Sequence, residues 1–280
     1  MKKRKLTSKR VNSWFHKSFQ KEFVMMEYSL AISMIVKEVH AKTILSKSKV
    51  HDYTINLYIG CEHACTYCYA RFMKRFTGHR EEWGEFVDVK INAPGLLQHE
   101  IRKKRIGRVW ISGLGDPYQP LEKEYESMRR CLEILSRHGW PVTIQTKSPL
   151  VFRDIELLRK FNGLEVTFSI ATADEKIRQL FEPNSPPLKE RNETLERLHS
   201  QGIRTSAMIA PLLPNAEGLV EQLKGKVDHV LIDRMNYHYA DWVYRKYKLE
   251  YAMTEDFFTQ KKVELANAFE KEGIPCQLLF

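Results

Sequence analysis

Three of the chain's five cysteines fall within one stretch, GCEHACTYCYAR at residues 60–71. Cys61, Cys65 and Cys68 are spaced C-x3-C-x2-C, a cluster that only metal chemistry readily explains. Structural zinc takes four ligands, usually as two separated pairs. His63, His79 and Cys276 are the candidates for a fourth, and none completes a familiar pair. A ferredoxin-type cluster takes four thiolates, one of them distal. The cysteines left for that role are Cys131, in the middle of a helical pattern, and Cys276, at the end of the chain. The third reading is a [4Fe-4S] cluster held by Cys61, Cys65 and Cys68 alone, with one iron left for a substrate or cofactor. Open coordination of that kind marks a catalytic metal.

These thiols need elements that hold them. Short runs rich in Val, Ile, Thr and aromatics predict strands: YTINLYI (53–59), RVWIS (108–112), PVTIQT (141–146), LEVTFSI (164–170), IRTSAMIA (203–210) and HVLIDRM (229–235). Helical patterns lie between them. EKEYESMRRCLEILSRHG sets Tyr125, Met128, Leu132 and Leu135 on one face, with Gly139 as a stop. LKERNETLERLHSQG and TEDFFTQKKVELANAFEKEG also read as helices, and the latter feeds a strand-like PCQLLF. Alternating strands and helices predict an α/β fold with a parallel sheet, as a doubly wound open sheet or as a full or partial barrel. In either, the carboxyl ends of the strands gather the active groups. The cysteine loop, SGLGDPYQP, TKS, SIATAD and APLLP all leave strands at that end.

The bulk composition bounds the function. With 43% hydrophobic residues the 280-residue chain can bury a full core, and no apolar run is long enough to span a membrane. An odd number of cysteines, three of them clustered, argues against a secreted disulfide framework and for a reducing cytoplasm. MKKRK is basic, but no apolar core follows it closely, so it is not read as a signal peptide. Net charge is +10, and six of those charges lie in the first ten residues, which leaves 39 basic against 35 acidic groups in the remainder. Residues 1–33 therefore read as a basic, solvated arm; Met25, Met26 and Met34 are each candidate starts. In residues 235–251, MNYHYADWVYRKYKLEY, aromatic and basic residues interleave. Tyr237, Tyr239, Trp242, Tyr244 and Tyr247 would either stack on bases, with Arg245, Lys246 and Lys248 on phosphates, or pack as a lid.

C-x3-C-x2-C with an aromatic, Tyr67, before the last cysteine and a parallel α/β array after it resembles the radical S-adenosylmethionine (SAM) superfamily. YTINLYIGCEHACTYCYAR, GLGDPYQPLE, IQTKS, FSIAT, FEPNSPPLKERNETLERLHSQGI and IAPLLP resemble its branch related to spore photoproduct lyase. The resemblance covers about residues 34–235. It implies a partial (β/α)6 TIM-type barrel with outer helices at 34–235 and a C-terminal extension at 236–280. It further implies an enzyme that cleaves SAM reductively at a [4Fe-4S] cluster to give a 5′-deoxyadenosyl radical, an external reductant of flavodoxin or ferredoxin type, and DNA or RNA as the nearest substrate class. RVWIS carries no thiol where that enzyme's hydrogen-donor cysteine lies, so the lesion itself is not carried over.

Site residues follow from the same resemblance. Tyr67 would lie near the adenine. Gly113 and Gly115 would admit the methionine end of SAM, and Asp116 would accept from its ammonium. Lys147 would pair with a carboxylate or a substrate anion, and Ser169 would meet the ribose. Arg191, with Glu182, would either contact the cofactor or pin the helix that follows. The rival readings are a zinc-stabilised nucleic-acid-binding module and an iron–sulfur electron carrier.

Overall fold

The computed structural model describes residues 34–280; the basic arm at 1–33 lies outside them. Its strands are Ile35–Val39 (β1), Ser46–Lys47 (β2), Tyr53–Ile55 (β3), Tyr58–Ile59 (β4), Phe86–Lys90 (β5), Val109–Ile111 (β6), Val142–Thr146 (β7), Leu164–Ser169 (β8), Arg204–Ile209 (β9), His229–Ile232 (β10) and Cys276–Leu278 (β11). Eight of them form one sheet in the order β11-β10-β9-β8-β7-β6-β3-β2. Every pairing from β3 to β11 is parallel, and only the edge pair β2–β3 is antiparallel. Strand order follows chain order with no reversal, so there is no doubly wound switch point. The sheet winds one way as a partial, unclosed TIM-type barrel, with helices in the crossovers.

The strands alternate in a way that matters for function. Val142, Ile144, Val166, Phe168, Ala207, Ile209, Val230 and Ile232 are fully buried and join the main core. Their neighbours Thr143, Gln145, Thr167, Ser169 and Ser206 are polar and bond across strands: Thr167 to Ser206 at 2.8 Å, and Gln145 Nε2 to Ser169 Oγ at 3.2 Å. Parallel strands covered on both faces normally read as unbroken apolar runs. Here the second face is lined with hydroxyls and amides.

Two expected elements are broken. The run at 53–59 is not one strand. β3 joins the main sheet, whereas β4 pairs antiparallel with β5 in a separate three-stranded sheet, β1-β5-β4. Asn56 marks the break: its Oδ1 accepts from Ser112 Oγ and from the Gly113 and Leu114 amides at 2.9–3.0 Å. The helix expected across 122–139 divides into Glu122–Tyr125 and Ser127–Arg137 at Glu126, whose φ is 47°. Buried Glu122 turns its carboxylate back to accept from the Met128 amide at 3.0 Å, which starts the second helix. Tyr125 stays half-buried against the main core with its hydroxyl donating to Glu38, while Met128, Leu132 and Leu135 are fully buried. Among the described residues no helix is long and apolar enough to cross a membrane.

Candidate active site

The cysteine loop begins where β4 ends. Gly60, at φ 93°, turns the chain, and a Cβ there would overlap the Phe86 carbonyl oxygen. The loop is then fastened to two others. The Thr66 amide donates to the Phe181 carbonyl at 2.8 Å, and the Asn184 amide to the His63 carbonyl at 3.3 Å. Glu62 accepts from the Leu121 amide at 2.7 Å, while its own amide donates to Gln119 Oε1 at 3.0 Å. The loops that leave β6 and β8 thus clamp the thiols.

Cys61 and Cys65 are buried and Cys68 nearly so; none is in a disulfide. Burial pushes the Cys65 thiol up to about 12, and Cys68 is raised for the same reason. Cys61 is raised well above an ordinary thiol by burial, by Asp116 and by the other two cysteines. The three thiols therefore lie on one desolvated loop, and each must lose a proton to bind metal. The alternative fourth ligands are engaged elsewhere. His79 bonds Glu81 at 2.8 Å and Asp88 at 2.9 Å, and His63 faces Asp116 at 3.5 Å. Cys131 is fully buried in the main core, and Cys276 stands opposite Val230 in β11. A donor set of three thiols fits a cluster that leaves one corner to another ligand.

A charged hub lies beside the loop. Glu182 pairs with Arg191 at 2.6 Å and approaches Lys147 at 3.9 Å, and both carboxylate and guanidinium are fully buried. The Tyr67 hydroxyl donates to the same carboxylate. Burial alone would raise Glu182, but Arg191 and Lys147 hold it down at about 2. Burial opposes the charge on Lys147, yet Cys65 and Glu182 keep its affinity for the proton above that of an ordinary lysine. Its ammonium lies 5.8 Å from the Tyr67 ring centre. Arg191 also donates to the Ser169 carbonyl at 3.0 Å and to the Pro186 carbonyl at 2.8 Å, so it fixes the end of β8.

Tyr67, Lys147 and Arg191 therefore converge on Glu182, and Ser169 joins them only through its backbone carbonyl on Arg191. Asp116 sits nearby and is occupied: its oxygens accept from Thr146 Oγ1 and the Lys147 amide at 2.6 Å and from the Tyr118 amide at 2.9 Å. It ties the glycine loop to the end of β7. Gly113 accepts from the Tyr69 hydroxyl, and a Cβ on Gly115 would lie 2.9 Å from the Gly60 carbonyl oxygen. Both glycines bring the loop against its own chain.

Sequence reasoning missed three residues here. Asn56 is the lone amide inside an apolar run, a signal that was available. Gln119, fully buried, supports the cysteine loop, and Tyr118 is held by Asp154 at 3.1 Å. Nothing local marks either.

The sequence pattern of the Radical SAM superfamily matches residues 55–221. An uncharacterized protein of Methanocaldococcus jannaschii, MJ0683, is 36% identical over 180 residues, 64% of this chain and 68% of that one. Uncharacterized ORF301 of Acidianus two-tailed virus is 33% identical over 179 residues, 61% of this chain and 59% of its own. A radical SAM Nα-GlyT isomerase of Pseudomonas phage M6 is 23% identical over 155 residues, 55% of this chain and 32% of the isomerase. The solved structure of spore photoproduct lyase complexed with dinucleoside spore photoproduct superposes with a TM-score of 0.66 at 14% identity, covering 94% of both chains. The chain belongs to the Radical SAM superfamily, as an enzyme built on the fold of spore photoproduct lyase.

Proposed function

We propose that the chain cleaves SAM reductively at a [4Fe-4S] cluster held by Cys61, Cys65 and Cys68, and that the resulting 5′-deoxyadenosyl radical acts on a nucleic-acid substrate. The observation that carries the reading is the placement of three cysteines, two of them buried, on one loop while Cys131 and Cys276 lie in other elements. Such a cluster supplies one electron to a sulfonium; the protein's part is to position and to exclude. Lys147 is the cation available to the SAM carboxylate. Tyr67 presents its ring for the adenine, with its hydroxyl anchored on Glu182. Ser169 offers a hydroxyl to the ribose at the end of β8. Asp116 and Arg191 act as positioning residues, since their polar atoms are already engaged within the protein.

The substrate reading rests on two supports. The polar face of the sheet suits a molecule rich in hydrogen-bonding groups, and spore photoproduct lyase, which shares the fold, has been solved with dinucleoside spore photoproduct. A flavodoxin- or ferredoxin-type protein is the reductant class that a buried cluster loop would need.

Anaerobic reconstitution with iron and sulfide, followed by SAM and dithionite, tests the reading. The expected result is about four irons per chain and formation of 5′-deoxyadenosine, which increases when ultraviolet-damaged DNA is added. A single tightly held zinc with no 5′-deoxyadenosine would overturn it.

A further inference from the structure

Directly after Cys68, the helix Tyr69–Phe76 presents an aromatic and basic surface. Tyr69 and Phe72 are exposed and near-parallel, with ring centres 6.4 Å apart and planes 24° apart. Across a chain crossing, Tyr69 continues onto Tyr237 (6.1 Å, 18°), and Tyr237 onto Tyr239 (5.9 Å, 12°). Both partners are exposed. Four rings from two segments thus form one ladder. At these spacings near-parallel rings are stepped rather than face to face, so each leaves part of its face open. Arginines border the ladder: Arg71 lies 5.8 Å over Tyr239, and Arg75 5.5 Å over Phe72 and 4.7 Å over Phe76. The segment YARFMKRF contains three basic residues and no acidic one. Within 235–251 the two readings divide by residue. Tyr244 is buried against Phe181 at 4.8 Å, as packing, while Tyr237 and Tyr239 extend the exposed ladder.

We propose that this ladder binds an unpaired nucleic-acid strand, with bases stacked on Tyr69, Phe72, Tyr237 and Tyr239 and phosphates met by Arg71, Lys74 and Arg75. This rests on the nucleic-acid reading above and specifies the form of the substrate. Aligned rings flanked by cations match a strand whose base faces are free; a duplex buries those faces in its own stack. A lipid surface would draw on the same apolar area but would not require aligned planes. The Tyr69 hydroxyl donates to the Gly113 carbonyl, so the foot of the ladder stands at the candidate active site.

The test is fluorescence anisotropy of reconstituted protein with a labelled oligothymidylate and with a blunt duplex of equal length. The single strand should bind more tightly. The Y237A/Y239A double variant should lose about tenfold or more in single-strand affinity, with iron content and circular dichroism unchanged. R71Q/R75Q should reduce the salt slope by roughly 1.4. Equal binding of duplex and single strand, no binding of either, or wild-type affinity in the tyrosine variant would overturn the proposal. Formation of 5′-deoxyadenosine by the wild type without oligonucleotide decides the cofactor reading separately.

A different residue bears on the cluster itself. Trp83 is buried with its indole N–H lacking a hydrogen-bond partner, and Cys68 packs against the small apolar cluster that contains it. The adjacent Gly84 lies so close to Ala64 of the cysteine loop that a Cβ would overlap it. We infer that the Trp83 N–H donates to the Cys68 sulfur in the loaded enzyme and favours the reduced cluster, because donors to cluster sulfurs raise the reduction potential. The inference depends on the proposed cluster being present. In a potentiometric titration followed by electron paramagnetic resonance, Trp83→Phe should move the midpoint to more negative potential. Trp83→His, which keeps an N–H, should lie closer to wild type. An unchanged midpoint in a folded, four-iron Trp83→Phe variant overturns it.

Discussion

Cys61→Ala, Cys65→Ala and Cys68→Ala are each expected to yield a protein without the proposed four-iron cluster and without 5′-deoxyadenosine formation above background. The three losses are equal to one another and to that of the triple variant, because groups that act as one unit are not additive. Cys131→Ala and Cys276→Ala are expected to retain the cluster. Cys131 is a fully buried core side chain on the helix Ser127–Arg137, so its truncation acts on packing alone. Cys276 lies in β11, at the far edge of the sheet from β3. Iron and sulfide counts after anaerobic reconstitution give the comparison. Equal loss in Cys131→Ala or Cys276→Ala would identify a fourth thiolate and turn the protein into an electron carrier. The physical basis is the state of the thiols. Burial raises all three, with Cys65 pushed up to about 12. Assembly must therefore release protons, and loss of any one thiol would leave the cluster a protein ligand short.

The parallel strands were legible because each carries β-branched residues in a short run and alternates with a helical pattern. The polar second face was visible in the same strings: in VTIQT, LEVTFS and RTSAMI every other residue is polar or Met. The breaks were not legible, since each is made by a partner distant in sequence. Asn56 ends β3 by capping the exit of β6, some 56 residues on. Glu126 adopts its left-handed conformation because Glu122 is drawn inward by Tyr58 and Arg153. Spacing identified the thiols, and the family resemblance across the turn EPNSPPLKER singled out Glu182 and Arg191, which flank it. It gave no indication that Tyr67 and Lys147 converge on the same carboxylate.

That convergence sets the second large effect. Arg191→Met is expected to destabilise the cluster-free protein by about 3–5 kcal/mol, the usual cost of leaving a buried charge without its partner. In a domain of this size that lowers the melting temperature by roughly 10 °C. Glu182 is only 1% exposed and Arg191 not at all, so water cannot replace either partner. Lys147, at 3.9 Å, is too distant to satisfy the carboxylate alone. Glu182→Gln is expected to be comparably harmful for the opposite reason: it leaves Arg191 and Lys147 as two neighbouring cations with no anion between them. The double variant E182Q/R191M should recover part of the loss, because it removes one charge of each sign, and the cycle isolates the pair's coupling. Calorimetry of cluster-free protein keeps the measurement independent of SAM and iron. Had Arg191 served the cofactor alone, Arg191→Met would leave that melting temperature unchanged. The bonds from Arg191 to the Ser169 and Pro186 carbonyls argue that it will not, since they fasten β8 to the helix that follows before any cofactor arrives.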